Sequence, residues 1–465
     1  MDKTDLLLID PPWIIEDNKN LWKNIGSRLP SLGIAYIASM IETEGASVRI
    51  LDCTAEEIAL TKIEDRLKTF SSPKFVGITA TTPLIINAYK IAGIVKKLFP
   101  STKVVLGGVH PSVLPDESLN NPDVDFVVRD EGEITVKELL SGVPIEKIEG
   151  LSWKMNGKML HNPIRPLIKN LDEIPLPAYH LLPMKKYYPA VGSYKRLPAI
   201  SIFATRGCPG RCTFCYRTFY GKVRARSADN ILNEIKILQR DYGIKEIAFY
   251  DDTFTLFKNV VSEFCQKILE QKIDIVWSCF TRVDYVNEEI LKAMKKAGCH
   301  LILFGVESAD ENILKNINKR ISLEQVREVV EICRKIGIET RASFMIGNSG
   351  ETEETIKKTI DFAIDLDPDE VQFNITTAYP GTELFKWADE MGYILDKDWS
   401  NYNMSYLNLH LPTVSQERLR YYYKLSHTRF YIRPKIIARR LFRIRTIPQL
   451  KQEINGFFGI IKTFL

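Results

Sequence analysis

Arg206-Gly207-Cys208-Pro209-Gly210-Arg211-Cys212-Thr213-Phe214-Cys215 places three of the chain's eight cysteines at C-x3-C-x2-C spacing. Thiolates are soft ligands that select zinc, copper(I) or iron–sulfur centres. A closed structural zinc site takes four ligands, usually as two separated pairs. An electron-transfer [4Fe–4S] cluster also takes four. This stretch supplies three, and no nearby Cys or His completes a set. Three ligands leave one metal position open, and an open position is where chemistry happens. A zinc loop with a distant fourth ligand is the alternative reading.

The stretch follows an apolar run, Ala199 to Ala204, and strand and helix patterns alternate after it. Strands are expected at Glu246–Tyr250, Ile275–Cys279, His300–Phe304, Thr340–Ile346 and Glu370–Ile375. Helices are expected near Ala228–Arg240, Asn259–Glu270, Glu288–Ala297, Leu323–Ile336, Glu353–Leu366 and Thr382–Met391. Six β/α units predict a parallel, barrel-like α/β domain with its chemistry at the carboxyl ends of the strands. Those ends carry Tyr250-Asp251-Asp252, Thr281-Arg282, Gly305-Val306-Glu307, Met345-Ile346-Gly347 and Tyr379-Pro380-Gly381-Thr382.

The cysteine spacing, with Phe214 before the last Cys and an apolar strand ahead, resembles the signature of radical SAM enzymes. The resemblance implies a partial (β/α)6 barrel over residues 198–395. It also implies a [4Fe–4S] cluster on Cys208, Cys212 and Cys215, whose open iron binds S-adenosylmethionine (SAM) and cleaves it to a 5'-deoxyadenosyl radical. Phe214 would belong to the same site, and Asp251 or Asp252 would meet the methionine amino group. Glu307 and Lys319 would contact the methionyl and ribose parts, and the Met345 backbone the adenine. Charge-assisted hydrogen bonds suit those pairings. The plainer readings are a helix cap for Asp251-Asp252 and a solvated ion pair for Glu307 and Lys319. Asn348-Ser349-Gly350-Glu351 departs from the family's usual Gly-x-Pro-Gly-Glu.

Residues 1–145 alternate apolar runs with helical patterns, which predicts a doubly wound, Rossmann-like parallel sheet. Leu6–Asp10, Val48–Asp52, Phe75–Thr79, Lys103–Leu106 and Asp125–Val128 are its strands. Ligands of such sheets bind beyond the strands' carboxyl ends. No G-x-G-x-x-G follows the first strand, so a dinucleotide site is unsupported. Pro30-Ser31-Leu32-Gly33, Gly107-Gly108-Val109-His110-Pro111-Ser112 and Asp130-Glu131-Gly132-Glu133 resemble the B12-binding domain of cobalamin-dependent radical SAM enzymes. That class includes magnesium-protoporphyrin ester cyclases, hopanoid methylases and phosphinate methylases. The likeness implies cobalamin contacts from Asp10, Trp13, Thr82, Gly107, Gly108 and His110. Asp130 stands where many relatives have Gly, and the Asp-x-His-x-x-Gly motif that sets a histidine under cobalt is absent. A cobalamin without an axial histidine is therefore implied. A loop-structuring role for His110 is the plain alternative.

Residues 146–197 read as a connector, with a hairpin around Asn156-Gly157 and a proline-rich strap up to Pro198. Residues 396–465 read as a helical, basic C-terminal segment. Residues 415–465 carry twelve Lys/Arg against two Asp/Glu, so the net +5 of the chain resides in this tail. With Phe430, Tyr431, Ile436 and Phe457 among them, these residues suit either packing on the barrel or contact with anionic lipid. No RNA-binding module accompanies them, so no nucleic acid is expected. Neither a signal peptide nor an apolar run of membrane-spanning length is visible, and the scattered cysteines fit a reducing cytoplasm.

The resulting expectation is a cobalamin-dependent radical SAM enzyme that methylates an unactivated carbon, with an oxidative cyclase or a non-catalytic sensor as alternatives. It would use a small, lipophilic substrate reached from the membrane surface and an external electron donor of the ferredoxin or flavodoxin type.

Overall fold

The computed structural model describes residues 4–13, 27–190 and 192–443. The chain divides into two compact units. One contains Leu6–Asp10, Arg28–Tyr187 and Lys397–Asn403, the other Tyr188–Asp396 and residues 404–443.

In the first unit β1 (Leu6–Asp10), β2 (Val48–Asp52), β3 (Phe75–Thr79), β4 (Lys103–Gly107) and β5 (Phe126–Val128) pair in parallel. They are nearly continuous apolar runs because helices cover both faces. Helix Leu32–Glu42 packs with Glu133–Leu140, and Ile63–Leu67 with Ile85–Leu98. Leu7, Ile9, Val76, Val104, Leu106, Ile85, Ile91 and Val95 are fully buried, each stabilising the unit by roughly 1.5–3 kcal/mol. The strand order β2-β1-β3-β4-β5 reverses its winding between β1 and β3. A ligand crevice is expected beyond the carboxyl ends of those two strands.

This sheet does not stop near residue 145. β6 (Leu151–Met155) pairs antiparallel with β5, Trp153 opposite Phe126, and β7 (Lys158–His161) follows it. Asn156 and Gly157 both take positive φ, 52° and 75°, as a type I′ hairpin requires. The hairpin assigned to the connector is thus the edge of the first sheet. Short 3-10 turns continue to Tyr187, whose hydroxyl donates to Asp52 at 2.7 Å. Lys397–Asn403 also departs from the expected C-terminal helical segment, because Trp399 packs against the first unit's core.

The second unit is a partial (β/α)6 barrel. Six parallel strands run in the order β15-β14-β13-β12-β11-β8, and that sheet is open between its ends. They are β8 (Ala199–Ile202), β11 (Glu246–Phe249), β12 (Val276–Thr281), β13 (Cys299–Glu307), β14 (Glu339–Ile346) and β15 (Glu370–Ile375). A two-stranded ribbon, β9 (Thr205–Arg206) with β10 (Arg224–Ala225), frames the cysteine loop.

Local signals fix the helix ends. Ser227, Asn287, Ser322 and Thr352 cap helices through their side chains, and Gly243 and Gly337 close two of them in the left-handed region. Phe249 packs on Phe264 of helix Lys258–Glu270, and Phe344 on Phe362 of helix Glu353–Leu366. These residues therefore face outward, and their strand neighbours face the lumen.

The basic helices Gln416–Tyr431 and Pro434–Arg443 pack on the barrel. Arg433, Lys435 and Arg439 converge on Asp367, and Arg440 reaches Glu370. Phe457 and the rest of the apolar tail after residue 443 lie outside the described residues. Among the described residues no helix is long and apolar enough to cross a membrane.

Candidate active site

The cysteine loop leaves β8 and is pinned by two backbone bonds and one from the Asn318 side chain. Thr213 N–H donates to Ile317 O (3.1 Å), Leu384 N–H to Thr213 O (2.8 Å), and the Asn318 amide to Arg211 O (2.8 Å). Cys208 and Cys212 are half-buried, Cys215 is exposed, and none forms a disulfide. Cys208 Sγ accepts the Gly210 N–H at 3.4 Å. Burial pushes the Cys208 thiol up, and the Gly210 N–H opposes it. Metal binding must therefore displace that proton.

Asp251 sits just beyond the carboxyl end of β11, with one of its two oxygens committed to the protein. It is 2% exposed, and its Oδ1 accepts from Ala204 N–H (3.0 Å), Thr205 N–H and the Thr205 hydroxyl (2.6 Å). Burial raises its carboxyl to about 7. Asp251 thus anchors the root of the cysteine loop, while its Oδ2 is buried with no partner. Asp252 is exposed and lies within electrostatic reach of Cys208, so it is the more accessible of the two carboxylates.

Glu307 and Lys319 form a buried pair, Nζ to Oε1 at 2.9 Å, rather than a solvated one. Burial opposes the lysine charge, but Glu307 and Cys212 outweigh it and hold Lys319 above the ordinary range. β13 runs three residues past its expected end, and Glu307 takes φ +73° there. A Cβ on Gly305 would meet Glu307 Oε1 at 2.4 Å and Lys319 Nζ at 2.8 Å. The pair therefore sits immediately over a residue without a side chain. Phe214 is half-buried in the loop. Met345 is buried on β14, its carbonyl taking the Asn348 amide at 3.3 Å. The atypical Asn348–Glu351 turn is closed from within, as Glu351 Oε2 accepts the Gly347 and Asn348 N–H groups.

Arg282 joins this site although the cysteine motif does not announce it. It is 8% exposed, clamps Asp284 (2.9 and 3.0 Å) and donates to Lys319 O at 2.9 Å. Its charge acts on Cys208 and Cys212. The available signal was its place one residue beyond β12.

In the first unit Asp10 ends β1 opposite Asp52 on β2. Burial first, then Asp52, raises its carboxyl well above the usual range. Trp13 follows, 42% exposed, with its backbone N–H on Thr54 Oγ1 at 3.2 Å. Gly108 takes φ +96°, and a Cβ there would come within 2.7 Å of Ala80 O, so this glycine serves the approach of β4's end to β3's. Gly107 is roomier, its nearest neighbour Val128 O at 3.8 Å.

His110 is not at the ligand crevice as an open imidazole. It is fully buried, with Nδ1 3.3 Å from Thr82 Oγ1 and Nε2 3.3 Å from Glu117, and Trp399 edges its ring at 5.4 Å. Thr82, itself buried, spends its hydroxyl on this ring. Both are loop-structuring residues. Asp130, at φ +62°, occupies a backbone conformation natural to glycine. A concavity of about 620 Å³ elsewhere in this unit, lined by Arg49, Glu56, Arg66, His180 and Lys186, contains none of these residues.

The profile of the radical SAM superfamily matches residues 202–363, and that of the B12 binding domain matches residues 19–140. An uncharacterized methyltransferase of Pyrococcus horikoshii is 39% identical over 98% of this chain and 98% of its own. The chain belongs to the B12-binding radical SAM family. The anaerobic magnesium-protoporphyrin IX monomethyl ester cyclase of Rubrivivax gelatinosus is 28% identical, over 85% of this chain and 78% of its own. Among solved structures, the cobalamin-dependent SAM radical enzyme OxsB, with aqua-cobalamin and SAM bound, superposes with TM-score 0.75. It covers 98% of this chain and 72% of its own at 17% identity, which is a likeness of fold.

The family's groups fit the residues present. Among the described residues no three Cys, His, Asp or Glu converge on a single ion. A cubane needs no such convergence, because its ligated irons stand at separate corners. Three unpaired thiols with a cation beside them are an apt donor set for an iron–sulfur cluster. The B12-binding unit has its winding reversal, an open glycine and an exposed indole at the strand ends.

Proposed function

We propose that the chain is a methyltransferase acting on an unactivated carbon, with Cys208, Cys212 and Cys215 holding the cluster. When bound, the cluster with SAM supplies a 5'-deoxyadenosyl radical, and cobalamin supplies the methyl group. The observation that carries the reading is the convergence of Asp252, Arg282, Glu307 and Lys319 on the cysteine loop.

Asp252 is placed to accept the methionine ammonium, and Lys319 is the cation for a carboxylate. Glu307 holds Lys319 in place and keeps it charged in a buried setting. Arg282 offsets negative charge on Cys208 and Cys212, Lys319 does so for Cys215, and Asp251 fixes where the loop begins. Phe214 and the Met345 backbone line the remainder of the SAM site. In the first unit Asp10, Trp13 and Gly107 would border the cobalamin, while Thr82, Gly108 and His110 shape the loops around it. No imidazole nitrogen of His110 is left for cobalt.

The P. horikoshii relative supports methyl transfer, and the cyclase relative keeps ring closure as the second reading. Membrane contact is not part of the proposal, and four of the tail's cations, Arg433, Lys435, Arg439 and Arg440, pair with acids of the barrel. An electron donor for the cluster belongs to the proposal.

The test is an anaerobic incubation of reconstituted protein with SAM, dithionite and cell extract. 5'-Deoxyadenosine together with S-adenosylhomocysteine is the expected result, and 5'-deoxyadenosine alone would favour the cyclase. Cys208→Ala should abolish both products and the cluster's absorbance, while Cys53→Ala should not. Stoichiometric zinc without iron in anaerobically purified protein would refute the cluster assignment.

A further inference from the structure

The lumen of the second unit has two chemically different walls. With Phe249, Phe344 and Phe373 turned outward against helices, alternation turns Tyr250, Phe280, Gly305, Ser343, Gln372 and Asn374 inward. All six are partly exposed, on β12, β13, β14 and β15 or just beyond the end of β11.

One wall is a chain of neutral hydrogen-bonding groups. The Gln372 amide donates to Asn374 Oδ1 at 3.1 Å, and the Asn374 amide donates to Ser343 Oγ at 3.2 Å. Ser343 is the register partner of Gly305, the residue beneath the Glu307–Lys319 pair. The chain therefore begins beside the site assigned to SAM and runs inward. The other wall is aromatic, with Tyr250 and Phe280 at 5.0 Å between ring centroids.

The floor is closed by Arg341, which donates to Glu370 Oε2 (2.7 Å) and to the Ser193 hydroxyl (2.9 Å). Tyr250 lies within electrostatic reach of Arg341. Arg341 is paired by Glu370, and no uncompensated charge points into the lumen from this floor. A lumen wall of amides and a hydroxyl disfavours a purely apolar molecule, because that molecule would strip water from the wall's polar atoms without offering them partners.

We infer that the substrate is a polar molecule with neutral hydrogen-bonding groups and a flat portion, seated between the Ser343–Asn374–Gln372 chain and the Tyr250–Phe280 pair. This inference rests on the radical SAM reading above. It replaces the lipophilic substrate expected from the basic tail.

The test uses the full chain, reconstituted anaerobically with cluster and cobalamin, with dithionite as reductant and [methyl-13C]SAM. Aqueous-methanol and chloroform fractions of one cell extract serve as probes. Labelled product is expected from the aqueous fraction. Asn374→Leu and Gln372→Leu should each lower labelled product per 5'-deoxyadenosine at least tenfold, with the cluster's electron paramagnetic resonance spectrum retained as the measure of folding. Label appearing in the chloroform fraction, or an unchanged ratio in both variants, overturns the substrate class. If neither fraction yields 5'-deoxyadenosine, the radical SAM reading fails, and the inference falls with it.

Discussion

Gly305 shows how one missing side chain organises the site. A methyl group there would stand 2.4 Å from Glu307 Oε1 and 2.8 Å from Lys319 Nζ. The buried ion pair would have to move, and overpacking of this kind costs about 1–3 kcal/mol. Gly305→Ala is therefore expected to weaken SAM binding by about tenfold or more, read by calorimetry on the reconstituted protein. An unchanged affinity would detach the pair from SAM recognition. Glu351 offers a pH readout. It is buried, with Oε1 lacking a partner, and burial raises its carboxyl from 4.5 to about 7. Between those values the folded chain keeps a proton that the unfolded chain has released. The stability this group contributes is full below about 4.5 and is lost as pH rises to about 7. Glu351→Gln carries no charge at any pH. The melting temperature of the unmodified chain minus that of the variant should fall across this window and level off above it. A rising difference would contradict the assignment.

At the scale of elements, strands and helices were largely legible because apolar runs and capping residues specify them locally. Ser322 and Gly337 bracket their helix where the sequence puts it. The extension of β13 to Glu307 was not legible, since it depends on a register shift against β14 rather than on composition. The attachment of β6 and β7 to the first sheet was likewise a matter of pairing with a distant strand. Glu307 and Lys319 were legible as a pair, but their burial was not, because it requires Gly305 beneath them. The roles of His110 and Asp251 were left open by the sequence for a common reason. A polar side chain at a strand end serves a ligand or a loop, and only its partners distinguish the two. The tail's charge was legible and its use was not, because its acidic partners sit some seventy residues earlier. Asp367 receives Arg433, Lys435 and Arg439, and the partial burial of this network distinguishes it from scattered surface pairs. Asp367→Asn should loosen helix Pro434–Arg443 and speed its cleavage by trypsin several-fold. Unaltered digestion would show that apolar contacts alone hold the helix.

The whole molecule divides its cofactor work between two units, yet the chain does not simply pass from one to the other. After completing the barrel's strands it returns, through Lys397–Asn403, to the first unit. There the Trp399 indole N–H donates to Glu117 Oε1 at 2.9 Å, and its ring edges His110 and, at 4.7 Å, Tyr402. His110 in turn meets Thr82 beyond β3, and the same turn carries Gly108 against Ala80. A residue encoded after the radical SAM barrel thus props the loops at the mouth of the B12-binding sheet. Removing a half-buried indole should cost about 2–3 kcal/mol, concentrated on those loops rather than on the cysteine loop. Trp399→Ala is expected to lower cobalamin affinity at least tenfold, measured from the bound corrin's visible absorbance, while iron per chain after reconstitution stays the same. Trp399→Phe keeps most of the ring but cannot donate to Glu117, so it should fall between the two. If Trp399→Ala binds cobalamin as tightly as the unmodified chain, these loops do not border the corrin, and the contacts assigned to Trp13 and Gly107 would have to carry the site alone.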